Sequence, residues 1–163
     1  MNRCTVVADA GPLHYLVLID CANTLGVMFE QVLIPTAVQD ELLHPNAPCK
    51  IRGWFSQAPP RVEVKAVHVP KPIHGLHRGE TEALYLAIQA RAAAVLLDDL
   101  DGRSAAKRLG LAVIGTIAIL EHAAEKGLIE LHAAISSLRQ TNFFAPLDLL
   151  EAELRRDRDR RNQ

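Results

Sequence analysis

Cys4-Thr5-Val6-Val7-Ala8-Asp9 is the stretch that decides how this chain is read. A short buried-strand pattern closes on a carboxylate, and Ala10-Gly11-Pro12 then turns the chain. The same arrangement recurs at Ala94-Val95-Leu96-Leu97, which closes on Asp98 and Asp99. Continuous apolar runs of this length are strands of a parallel sheet covered on both faces. In open α/β sheets ligands bind beyond the carboxyl ends of the strands. Two strands that deliver carboxylates to one edge make a site for a hard cation, which points to metal-dependent chemistry.

Working outward, Pro12 suits the first turn of a helix over Leu13 to Ile19, because its missing N–H costs nothing there. A second short helix fits before Phe29. Val32-Leu33-Ile34 reads as a strand, and Pro35-Thr36 opens a helix through Leu43 that Pro45 ends. Asn46 to Pro60 reads as irregular. Val62, Val64 and Val67 suggest a third strand. A long helix follows Leu76 to Glu80, with Ala83, Leu84, Leu86, Ala87 and Ala90 as its apolar face.

After the fourth strand, Ser104 to Leu109 forms a helix stopped by Gly110, and Ala112-Val113-Ile114 is a fifth strand. Ile117 to Glu125, Ala133 to Leu138 and Leu147 to Arg156 complete the helices. Alternating strands and helices imply an α/β fold: a mostly parallel sheet of about five strands, helices on both faces and right-handed crossovers. One domain over residues 1–163 is expected, with a charged C-terminal helix or tail from about 147. Arg155 to Arg161 holds five arginines and two aspartates and reads as a solvated or fraying helix end.

The 163 residues are 49% hydrophobic and 23% charged, the balance of an ordinary soluble domain. Aromatic residues make up 4%, which disfavours a surface built on stacked rings. A net charge of −1 argues against a nucleic-acid-coating protein but permits a nuclease whose acids hold metal. Cys4, Cys21 and Cys49 are odd in number and widely spaced, so reduced thiols in a cytoplasm are expected. Arg3 and the apolar residues after it do not make a signal peptide, because Asp9 interrupts the run. No stretch reaches the roughly 18 apolar residues of a membrane span.

Four regions supply candidate ligands: Asp9, Glu41, Glu80, and Asp98 with Asp99. Oxygen-only ligation suits Mg²⁺ or Mn²⁺, which bind alongside substrate phosphates. Each acid also has a plain structural use. Glu80 suits a helix N-terminus, Asp101 suits a cap for the helix after it, and Glu41 suits a solvent-facing helix position. Asp9 and Asp98 weigh more, since a carboxylate beside a buried strand carries a desolvation cost without a partner. Glu80 and Glu82 face different ways on one helix, so only one of them joins a site. His74 and His77 lack the further pair a zinc site needs and read as loop histidines. Lys71, His77, Arg78, Arg103, Lys107 and Arg108 are either phosphate contacts or solvated faces. The glycines match no P-loop or dinucleotide fingerprint.

Val6 to Leu13, Ile34 to Leu42, Gly79 to Leu84 and Leu96 to Asp99 carry a resemblance that covers about Val6 to Leu131. On these segments the chain resembles PIN-domain proteins, a nuclease fold found among bacterial toxin–antitoxin toxins. It looks most like a toxin-like (VapC-like) subgroup with Gly-Glu-x-Glu-Ala, Leu-Leu-Asp-Asp and a later Gly-Thr, here Gly115-Thr116. The resemblance implies a PIN-like three-layer fold and a metal-dependent endoribonuclease, with Asp9, Glu41, Glu80 and Asp98 as the acidic cluster. Asp99 is the additional or substitute metal ligand. It further implies Mg²⁺ or Mn²⁺, an RNA substrate, a homodimer, a cognate antitoxin and no membrane.

Two positions depart from the pattern. Ala10-Gly11 stands where many members have a hydroxyl residue, and Leu96 stands where many have threonine. These departures support a second reading, a catalytically inactive PIN-fold module that binds RNA or protein. A phosphoacceptor receiver domain fits less well, because that family places an acidic pair after its first strand and this chain has a lone Asp9.

Overall fold

The computed structural model describes residues 4–163, so Arg3 lies outside the described residues. Strands β1 (Thr5–Ala8), β2 (Gln31–Pro35), β3 (Val62–Lys65), β4 (Ala94–Leu96) and β5 (Val113–Ile114) form one sheet in the order β3-β2-β1-β4-β5. Every pairing is parallel, with Val6 opposite Val32 on one side and Ala94 on the other. The fold is α/β, as the strand and helix alternation predicts. β1 is the origin of the winding: the chain builds outward to β2 and β3, then returns to lay β4 on β1's other side. That reversal makes the carboxyl end of the β1–β4 pair the crevice where such sheets take ligands.

Alternation along the strands separates two apolar layers. Val6, Ala8, Val32, Ile34 and Leu96 face a core that includes residues of α1 (Ala10–Leu18), α7 (Thr116–Glu125) and α8 (Leu131–Arg139). Val7, Leu33, Val95 and Leu97 face a smaller core with Ala83, Leu84 and Ala87 of α5 (Arg78–Gln89) and Ala105 and Ala106 of α6 (Leu100–Arg108). Burial on both faces explains why the strands are short uninterrupted apolar runs rather than alternating ones.

Three expectations need correction. The segment read as irregular contains α4 (Cys49–Ser56), which follows α2 (Leu25–Met28) and α3 (Thr36–Leu42) in the chain. Ile51 is fully buried beneath it, and Trp54 and Phe55 pack against the main core. The helix after β4 starts at Leu100, not Ser104, and its cap is Asp99, which accepts from the Gly102 N–H at 2.9 Å. Asp101 is therefore in the first turn, not at the cap. Lastly, α9 (Leu147–Arg161) does not fray into solvent at its arginines. Arg156 pairs with Glu121, Arg160 with Glu125, and Arg161 with Glu130, so the run ties α9 to α7 and to the start of α8. Among the described residues no helix is long and apolar enough to cross a membrane.

Candidate functional site

Asp9 and Asp98 leave adjacent strands at the reversal point. The Asp9 N–H extends the ladder to the Leu96 carbonyl at 3.0 Å, which locks the two strand ends together. Both side chains border Gly11 in the first turn of α1. A methyl group built there would lie 3.9 Å from Asp9 Oδ2 and 3.9 Å from Asp98 Oδ2. Asp98 is held on both oxygens by the start of α7. The Thr116 N–H donates to Oδ1 at 2.8 Å, and the Thr116 hydroxyl donates to Oδ2 at 2.6 Å. Thr116 itself is fully buried, so this orientation is rigid. Asp98 thus takes its hydroxyl partner from a third element, where Leu96 offers none; Thr116 does not serve Asp9.

Arg103 of α6 closes the other side of Asp98. Its Nη1 reaches the Leu97 carbonyl at 3.4 Å. A Cβ on Gly115 would fall 2.7 Å from that Nη1 and 3.2 Å from Asp98 Oδ1. The small Gly115 leaves room for guanidinium and carboxylate to lie close together there. Lys107 and Arg108 are exposed on the same helix, further from the crevice in sequence.

Glu41 and Glu80 arrive from the β2 side, on α3 and α5. Glu82 makes their meeting possible. It is buried, accepts the Ala37 N–H at 2.9 Å, and accepts from Arg78 Nε at 2.9 Å. One carboxylate therefore staples the first turn of α3 to α5, and it is unavailable to the site. Glu41 then overlies Gly79, where any side chain would collide with it. His77 stands between the two glutamates, with Nδ1 3.7 Å from Glu41 and Nε2 3.3 Å from Glu80. It is also the N-cap of α5 in a capping box, and Glu80 Oε2 accepts the His77 N–H at 3.2 Å. Glu80 caps its helix, and its charge also lies within reach of Asp9 and Asp99.

The electrostatics bind these residues into one set. Burial pushes the Asp9 carboxyl up to about 6; the N–H groups of Ala10 and Gly11 oppose that rise and the Glu41 charge adds to it. Glu41 is raised by burial and by Glu80, against His77 and Arg78. Glu80 is raised by burial, with Asp99 and Asp9 adding to it against His77. Among the described residues Asp9 Oδ1 is buried with no hydrogen-bond partner. Asp99 is exposed and engaged in capping α6, while its charge still reaches Glu80. Among the described residues no three acidic, histidine or cysteine side chains already converge as a metal cage. His77 fills the gap between Glu41 and Glu80.

The sequence offers His77 only as a loop histidine or phosphate contact and Thr116 only within the Gly-Thr phrase of the resemblance, and places neither beside the acids. The signal for His77 was its place three residues before Glu80 at a helix start, the capping-box spacing. For Thr116 it was the hydroxyl directly after a strand and a glycine, at the same sheet edge as the acids. His74 is exposed in the loop before α5 and does not join the cluster in sequence or by contact with an acid.

Known proteins place this arrangement in context. A family model described as a PIN domain matches residues 5–158. No curated protein matches the chain. Among solved structures, the chain is similar to a PilT N-terminus domain protein from the hyperthermophilic archaeon Sulfolobus solfataricus. The two share 18% identity with a TM-score of 0.49, over 87% of this chain and 99% of that one. Since the family model spans nearly the whole sequence, from β1 into α9, the chain belongs to the PIN-domain family.

Proposed function

We propose that the protein is a Mg²⁺- or Mn²⁺-dependent endoribonuclease, with Asp9, Glu41, Glu80 and Asp98 as its acidic cluster and Asp99 as an auxiliary ligand. The observation that carries this is Asp9. It is a buried carboxylate with an unpartnered oxygen, across a glycine from Asp98, at the sheet's reversal point. A buried acid without a cation is costly, and its neighbours are further acids. The donor set is all oxygen and suits a hard divalent ion. Family membership supports the same reading, because PIN domains are generally metal-dependent nucleases.

When bound, such an ion supplies activation of a water and neutralisation of charge at the scissile phosphate. The chain's own residues set the stage. Thr116 fixes the plane of Asp98, and Glu82 carries Glu41 to its post by fastening α3 to α5. His77 spans the two glutamates, 3.3 Å from Glu80 and 3.7 Å from Glu41. Arg103 presents a guanidinium beside Asp98, where a phosphate oxygen is the fitting partner.

The resemblance carries the reading further, to the cytoplasmic toxin of a toxin–antitoxin pair, acting as a homodimer and blocked by a cognate antitoxin. The alternative is an inactive PIN-fold module that binds RNA or protein, favoured by Ala10 and Leu96 in place of hydroxyl residues. Thr116 weakens that alternative, because Asp98 has its hydroxyl partner after all. Incubating purified protein with a mixed RNA pool in Mn²⁺ or Mg²⁺ against EDTA, beside Asp98→Asn, decides between them. Metal-dependent cleavage lost in the variant is expected. Cleavage that ignores EDTA, or that survives in Asp98→Asn, would overturn the proposal.

A further inference from the structure

A cavity of about 540 Å³ opens beside the acids, between α1 and the turn that joins α3 to α4. Gly11 and Glu41 belong to both its lining and the acidic crevice, so the two are continuous. Its walls are apolar, from Ala10, Leu42, Ala47, Pro48 and Ile51. A few polar groups interrupt them: His14, Tyr15, His44 and Asn46.

These groups are pre-set. Tyr15 is fixed by a hydrogen bond from its hydroxyl to Asn142 Oδ1 at 3.2 Å and by an edge-on contact with Phe143 at 4.9 Å. His14 stands edge-on to Tyr15, with ring centroids 5.1 Å apart and planes at 81°. His14 is half-buried, and burial lowers its pKa, so the ring is neutral and offers one donor and one acceptor. Among the described residues neither ring nitrogen has a hydrogen-bond partner. His44 is oriented by the Asn46 N–H, which donates to its Nδ1 at 3.2 Å.

We propose that this cavity binds the base of a nucleotide that flanks the scissile phosphate, so that His14 and its neighbours choose where RNA is cut. The proposal rests on the ribonuclease reading. A nucleobase has two flat apolar faces and an edge that both donates and accepts. The cavity meets it with apolar walls and a neutral imidazole of the same double character. Sequence-specific RNA recognition generally takes unstacked bases, held by aromatic or imidazole rings and hydrogen-bonded at their edges. Continuity through Gly11 and Glu41 puts such a base next to the acids without a gap to bridge. A protein segment would find no buried charge inside the cavity to pair with, since its one carboxylate is Glu41 at the acidic side.

Titration of the metal-free protein with each of the four nucleoside monophosphates, followed by NMR, tests this without relying on catalysis. At least one nucleotide should shift the His14 ring and the Leu42 and Ile51 methyls. Ala47→Phe fills the cavity from a turn outside the helices, and should weaken that binding at least about tenfold. His14→Ala should change the rank order of the four and, in metal, broaden the base preference at cleavage sites mapped by sequencing. No shift with any nucleotide, or shifts indifferent to Ala47→Phe, would overturn the proposal and leave the cavity to a protein segment. Cavity shifts without any metal-dependent cleavage would overturn the ribonuclease reading, and with it the role in choosing the cut, while base binding stands.

Discussion

The protein treats the buried carboxylates of α9 and of the crevice in opposite ways. In α9, Asp157 is 6% exposed and both of its oxygens are met by arginines, Arg160 on Oδ1 and Arg161 on Oδ2. Glu153, one turn earlier, has Arg156 on Oε1 and nothing on Oε2. In the crevice, Asp9 is 5% exposed and among the described residues has no arginine or lysine ion pair. Its nearby charges are another carboxylate and a histidine. A buried acid with its cation is a structural tie; a buried acid among acids is, on the function proposed above, the place for a cation. The contrast separates site from scaffold where composition cannot, since both regions are rich in acids.

The largest effect expected is on chemistry. Asp9→Asn or Asp98→Asn should cut metal-dependent RNA cleavage by at least about a hundredfold, the scale of several kcal/mol of charge stabilisation. Asp157→Asn should leave cleavage by the folded protein within a few-fold. Equal losses in both regions, measured as initial rates at fixed metal, would erase the distinction between them.

Stability should move the other way. With EDTA present at neutral pH, Asp9→Asn should raise unfolding free energy by about 1–3 kcal/mol, because the charged form of Asp9 is disfavoured in the fold. Asp157→Asn should lower it by about 1–3 kcal/mol, less than a fully buried pair loses because its arginines are partly exposed. Urea denaturation of the two variants beside wild type reads both signs.

The pH dependence follows from the same acid. Asp9 titrates at about 6 in the fold against 3.8 when free, so between those values the folded state binds more protons than the unfolded one. Its contribution is a penalty that is full above about 6 and is relieved as the pH falls toward 4. Glu41 and Glu80, also raised, act with the same sign. Metal-free wild type should therefore gain stability on mild acidification from pH 7 to 5, and Asp9→Asn should gain less. A steady loss over that range in wild type would refute the assignment.

The smallest change probes the hydroxyl. Thr116→Val removes the donor to Asp98 Oδ2 but keeps the N–H to Oδ1. It should reduce Mn²⁺ affinity and cleavage by about 10- to 100-fold, the cost of loosening a ligand's support. Unfolding free energy should fall by about 1–3 kcal/mol. An unchanged Mn²⁺ affinity would reduce Thr116 to a packing residue.

Several elements were legible before any coordinates. The strand pairs at Val6-Val7 and Val95-Leu96 could be read because burial on both faces demands unbroken apolar runs. The Glu80/Glu82 choice was half legible: helical spacing says the two diverge, but only packing shows that Glu82 is the staple and Glu80 the one facing the acids. α4 was missed because Pro48 and Gly53 masked the spacing of Ile51, Trp54 and Phe55, which is helical. The ion pairs of the arginine run were not legible because its partners, Glu121, Glu125 and Glu130, lie on other elements.

The sequence by itself determined that strands end in carboxylates and that the sheet is parallel, because burial and strand length are local, periodic properties. Tertiary structure alone decided which acids meet. It laid β4 against β1, so that Asp9 and Asp98 share Gly11, and brought Thr116 to Asp98 across 18 residues of chain. It also left Asp9 without a cation while giving Asp157 two. Partnering of buried charge depends on distance in space, and that is a quantity no local pattern records.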